Sequence, residues 1–196
     1  MRRISLTLQI VLLTSLLGPD ISMAQPVQIP HMEGLADSNT LQAAQLSEAE
    51  QASILRQIEK TGFDYPDSWQ AELRVKRVSL GDVDGLIARG IKLLCGATGN
   101  CQTWTFRRAK GRWVSMFEGQ APVISAFGFA TAQHGGIHDL VTLANTSAQI
   151  DAYTEFAFDG HFYRKVRCGE LVGWGNPGAK WRLDEKACAS ENSLNP

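Results

Sequence analysis

Apolar positions along this chain change their spacing near residue 66, and the change separates a helical part from a β part. Ile54, Leu55 and Ile58 recur at the interval that lines up side chains on one stripe of a helix. Ser47, followed three residues later by Glu50, supplies both halves of a capping box, so a helix is expected to begin there. Lys60 in its last turn and Gly62 beyond it mark the expected end.

After Tyr65-Pro66-Asp67 the interval falls to two. Residues 71–80 place Ala71, Leu73 and Val75 on one face and Val78 and Leu80 on the other, and the slip at Lys76-Arg77 predicts a β-bulge. Further strands are predicted over 86–94, 103–108, 112–117, 123–131, 138–144, 152–158 and 161–168. Lys110-Gly111 and Asp159-Gly160 separate aromatic strand pairs and read as two-residue hairpin turns. Connections this short leave no room for crossover helices, so the expected fold is α+β, mainly β. It is an antiparallel meander of about eight strands with one N-terminal helix. Spacing alone leaves barrel, two-layer and open-sheet forms equally available.

The ends of the chain read differently from its middle. Residues 1–24 have the layout of a secretory signal: Arg2 and Arg3, a mainly apolar stretch over 4–17, and Ser22-Met23-Ala24 as a small-x-small cleavage site. The stretch is interrupted at Gln9 and stopped by Gly18-Pro19-Asp20, short of the roughly 20 residues needed to span a bilayer. No cysteine follows it to accept a lipid, and no later segment is apolar enough to span. A periplasmic or secreted protein is expected, with residues 25–45 as an exposed leader and 46–196 as a single helix-plus-β domain. Residues 169–196, rich in glycine, read as a loop-rich tail.

All four cysteines, Cys95, Cys101, Cys168 and Cys188, follow the export signal, which favours disulfides over free thiols. Gly96-Ala97-Thr98-Gly99-Asn100 is able to turn tightly, which favours Cys95 with Cys101 and Cys168 with Cys188 among the three possible pairings. Zinc is disfavoured, because there is no C-x-x-C pair and no histidine at ligand spacing.

Three stretches taken together resemble a pattern in small exported bacterial proteins without an assigned activity. They are the Cys95 to Cys101 loop, Gly136-Ile137-His138-Asp139-Leu140 and Phe158-Asp159-Gly160-His161-Phe162-Tyr163, and the resemblance covers roughly residues 71–168. It implies no catalytic residue, so candidate chemistry comes from the residues themselves.

The net charge of -1 gives no global signal for nucleic acid or an acidic membrane, but its distribution does carry information. Residues 74–112 hold 9 bases against 2 acids. Strand alternation sets Arg74 and Lys76 opposite Leu73 and Val75, and Arg107 opposite Trp104 and Phe106; Arg108, Lys110 and Arg112 flank the nearby turn. Gathered on one solvated face, these six would bind an anionic envelope polymer or an acidic protein through phosphate, sulfate or carboxylate groups. The plainer reading pairs them with helix acids such as Glu48, Glu50 and Glu59. Nucleic acid is not expected outside the cytoplasm. The strand aromatics, Trp104, Trp113, Phe127 and Phe156 among them, read as core before they read as a ligand groove.

One loop could carry catalysis. In Gln133-His134-Gly135-Gly136-Ile137-His138-Asp139, a glycine pair brings His134, His138 and Asp139 together, and a carboxylate beside an imidazole is the arrangement of a general base. The same residues are also ordinary turn formers. No nucleotide-binding, metalloprotease or nucleophile-elbow motif is present, and no cofactor is expected. The sequence thus points to an exported, non-catalytic binding domain, with a hydrolase using the histidine loop, or a purely structural envelope role, as the alternatives.

Overall fold

Two antiparallel sheets and one helix make up the fold, seen in a computed structural model described for residues 29–32, 38–61, 65, 67–173 and 182–188. The signal and its cleavage site, the helix-ending Gly62 and most of the expected tail lie outside the described residues. The class matches the alternation read from the sequence, with eleven strands among the described residues rather than about eight.

The helix, α1 (Glu48–Glu59), forms where its cap predicts. The Ser47 hydroxyl accepts from the Glu50 N–H, and the Glu50 carboxylate accepts from the Ser47 N–H at 2.9 Å. Ile54 and Ile58 are fully buried on its inner stripe, each stabilising by about 1.5–3 kcal/mol. Sheet 1 runs β1 (Asn39–Thr40), β2 (Leu73–Ser79), β3 (Asp84–Gly90), β4 (Cys101–Ala109), β5 (Arg112–Ser115), with β6 (Val123–Ile124) pairing onto β4. Sheet 2 runs β11 (Arg182–Lys186), β10 (Tyr163–Val172), β9 (Ile150–Phe158), β8 (Ile137–Ser147), β7 (Ala126–His134).

Register shows how the layers stack. β2 pairs with β3 without interruption from Leu73 opposite Gly90 to Ser79 opposite Asp84, so the bulge expected at Lys76-Arg77 does not form. The slip in polarity has another cause: sheet 1 buries both faces. Leu73, Val75, Leu86, Ala88, Trp104, Phe106 and Trp113 pack with Ile54 and Ile58 of α1. Ile87, from the opposite face of β3, packs with Phe127, Leu140, Phe156 and Tyr163 of sheet 2, and Val78 joins it. The order of layers is therefore helix, sheet 1, sheet 2.

A third cluster, Val141, Leu143, Tyr153 and Leu171, lies on the far face of sheet 2 and is covered in part by Ile29 and Met32. The stretch expected as an exposed leader before residue 46 thus contributes to the fold. Leu41 and Ala44 are buried, β1 pairs with β2, and residues 30–32 cross β7 at Gly128. Part of the expected tail is likewise a strand: β11 pairs along β10 from Leu171 to Cys168 and beyond.

Both disulfides are present, Cys95 to Cys101 and Cys168 to Cys188. The first closes a loop that meets sheet 2, since Asn100 Oδ1 accepts from the Asn145 N–H at 2.8 Å and Asn100 Nδ2 donates to the Asn145 carbonyl at 2.9 Å. A second tie joins helix to sheet. Gln57 Nε2 donates to the Trp113 carbonyl at 3.0 Å while Gln57 Oε1 accepts from the Ser115 N–H at 2.9 Å.

Candidate functional site

The six cations singled out in the sequence do not share one surface. Arg108 faces α1 with Trp104 and Phe106; its guanidinium pairs with Glu50 and lies 5.0 Å from the centre of the Trp113 ring. Arg107, one residue earlier, faces sheet 2, with its guanidinium 5.4 Å from the centre of the Phe158 ring. Its Nε is buried with no hydrogen-bond partner among the described residues. Arg74 turns back on its own chain and donates to the carbonyls of Ala71 and Leu73. Lys76 is half-buried, opposite Ile87. Lys110 and Arg112 are the two exposed members, on and beside a turn where Lys110 takes φ +48°.

Alternation did put Arg74, Lys76 and Arg107 opposite the helix-side core. It gave no hint that their face meets a second sheet, and this splits the expected basic surface. The plainer pairing is present at Glu50. Donation from the Ser47 N–H, then from the Ser47 hydroxyl and from Arg108, holds its carboxyl down at about 2 from 4.5.

The histidine loop is a tight hairpin between β7 and β8, with Gly135 and Gly136 at φ +59° and +76°. His134 Nδ1 lies 2.7 Å from Asp139 Oδ1, and the Asp139 side chain is 3% exposed against 55% for His134. His138 takes no part in this pair. The register sets His134 opposite Ile137 and Gln133 opposite His138, so the imidazoles project to opposite sides, and His138 meets the Gln133 amide at 3.2 Å. Nor do the acids of the next hairpin join them. Glu155 accepts from the Tyr153 hydroxyl and pairs with Arg167, while Asp159 accepts from the N–H groups of His161 and Phe162. Among the described residues no group of three His, Cys, Asp or Glu is placed to hold a metal ion.

The feature that the sequence did not disclose is a cleft of about 690 Å³ between sheet 2 and residues 117–124. Its floor is a patch of small side chains: Thr142 opposite Thr154 and Ala144 opposite Ala152 in the β8–β9 register. Phe117, Ile124, Phe156 and Tyr163 line it as well, and Glu118, Gln120 and Lys165 add polar groups. The volume falls within the range of pockets that enclose small organic ligands. The signal in the sequence was limited to small residues at alternate positions, Thr142 with Ala144 and Ala152 with Thr154, because a sheet face without large side chains cannot fill the space between layers.

β10 controls which cation enters the cleft. Tyr163 opposes Phe158 and Lys165 opposes Phe156, so both project from the cleft face. The register then shifts between Lys165 and Arg167, leaving Val166 as the extra residue, 56% exposed. Arg167 is thereby turned to the other face, where it pairs with Glu155 and Glu185. Lys165 has no ion-pair partner among the described residues, whereas the acid of the opposite wall, Glu118, is 2.7 Å from Arg164. Arg164 also binds Asp159, whose carboxyl is held well below its usual range by the Phe162 N–H, Arg164 and the His161 N–H. The wall is thus fastened to the β9–β10 hairpin.

No family model matches this chain, and no curated protein or solved structure matches it. The pattern over residues 71–168 stands as a likeness in motifs alone.

Proposed function

We propose that this chain is a non-catalytic binding domain of the periplasm or of the secreted fraction, and that its ligand occupies the cleft between sheet 2 and residues 117–124. The observation that carries the reading is the cleft itself, with its floor of paired threonines and alanines. Two disulfides support an oxidising compartment. An extended anionic polymer has less in its favour, because only Lys110 and Arg112 of the six cations are exposed. The hydrolase alternative retains one supporting contact, His134 to Asp139, but neither residue lines the cleft.

The test is native mass spectrometry of protein purified from the exported fraction, for wild type and for Ala152→Phe and Thr154→Phe. Wild type is expected to carry a small molecule that both variants lose, with the two disulfides and the far-ultraviolet circular dichroism unchanged. Empty wild-type protein overturns the reading.

A further inference from the structure

We infer that the cleft takes a small amphiphile with an apolar body and a single anionic head group, the head at Lys165 and the body against Phe117, Ile124 and Phe156. This deepens the cleft-binding reading and rests on it. Three observations give the ligand its character.

The first is the sign of the charge. Lys165, Glu118 and the roof glutamine Gln120 supply the long polar side chains of the lining, and Glu118 is already engaged by Arg164. Lys165 is therefore the cation that a ligand would neutralise, and a cationic head group would meet it as a like charge.

The second is the number of charges. Regular alternation through β10 would set Arg167 beside Lys165 on the cleft face. The extra residue at Val166 sends Arg167 to the far face and into ion pairs with Glu155 and Glu185. A bulge that removes one cation from the cleft suits a head group of one negative charge better than a polyanion.

The third is the character of the walls. The aromatic and aliphatic lining would cover an apolar body, and the alanines and threonines of the floor admit its width. The Thr142 hydroxyl need not be left unsatisfied by such a body, since it donates to the Thr154 carbonyl at 3.4 Å across the floor.

Isothermal titration calorimetry below micelle concentrations tests this with four probes of one chain length: dodecanoate, dodecyl phosphate, dodecyltrimethylammonium and a nonionic dodecyl ether. Dodecanoate is expected to bind with one-to-one stoichiometry, and dodecyltrimethylammonium at least about tenfold more weakly. Lys165→Gln should weaken dodecanoate by about tenfold, leave the nonionic ether unchanged, and be rescued by Lys165→Arg. Comparison with dodecyl phosphate separates carboxylate from phosphate heads as sources of the charge.

Equal affinity for dodecanoate and the nonionic ether, with no effect of Lys165→Gln on either, overturns the anionic assignment. So does a failure of all four probes on protein that still loses a native ligand through Ala152→Phe, and in both cases the cleft-binding reading survives. Wild-type protein that is empty in native mass spectrometry removes that reading and this inference together.

Discussion

Replacing Cys95 and Cys101 by serine removes a crosslink with a sequence separation of 6. For a closed loop that short, the chain-entropy relation gives a loss of about 2 kcal/mol. A separate loss comes from what the loop presents to sheet 2. Asn100 makes two hydrogen bonds to the backbone of Asn145, at 2.8 and 2.9 Å, and at about 1 kcal/mol each Asn100→Ala should cost about 2 kcal/mol. If the crosslink also holds Asn100 in place, the two effects overlap. The triple variant should then lose about 3 kcal/mol rather than the 4 expected of independent sites, a coupling of about 1 kcal/mol. The assay is urea unfolding under oxidising conditions with Cys168 and Cys188 kept bonded, and the slope of the transition reports any change in the unfolded chain. Additivity to within about 0.5 kcal/mol would show that the crosslink acts on the unfolded state alone, and its role in presenting Asn100 to β8 would be lost.

Two further outcomes follow from contacts near the other end of the chain. The Glu50 carboxyl is held at about 2 when folded, so its stabilisation is fully present above pH 4.5 and fades as pH falls from 4.5 toward 2. Solvent screening of this surface pair limits the effect to about 1 kcal/mol, and Glu50→Gln should flatten that limb of a stability-versus-pH curve. An unchanged acid limb would show that the contact with Arg108 and Ser47 contributes nothing. At Gly128, an added Cβ would lie 2.6 Å from the His31 carbonyl oxygen. Gly128→Ala is therefore expected to lift residues 29–32 from β7, and limited proteolysis near His31 should accelerate while the two sheets stay resistant.

What the sequence revealed depended on whether the cause was local. The Ser47 and Glu50 cap is a contact between residues three apart, and the structure has it where the sequence places it. The Lys110-Gly111 turn is equally local, with both residues at positive φ as a two-residue hairpin of type I′ requires. The residue types of Asp159-Gly160 predict the same kind of turn. Its Asp159 carboxylate instead gathers the N–H groups of His161 and Phe162, which stretches the connection so that β10 begins at Tyr163.

Bulges were the least legible feature. A change of polarity at Lys76-Arg77 looked like one and came from burial on both faces, whereas the bulge at Val166 sits among residues whose polarity gives no sign of it. The candidate site was hidden for a related reason. Thr142, Ala144, Ala152 and Thr154 are unremarked strand residues one at a time, and only the β8–β9 register sets them side by side. The six cations failed as one surface because alternation assigns a face but not what covers it.

The side-chain amide of Gln57 occupies the outer backbone groups of Trp113 and Ser115 much as an incoming peptide would. A helix residue thus terminates sheet 1 at β5, where an unprotected border would invite another chain to add itself by backbone pairing. At the opposite margin β1 covers β2 only at Arg74 and Val75, so the protection by Gln57 belongs to the β5 side. Resistance to edge-to-edge pairing at β5 is therefore built into the contact that docks α1, and loosening the helix would expose that edge together with the core.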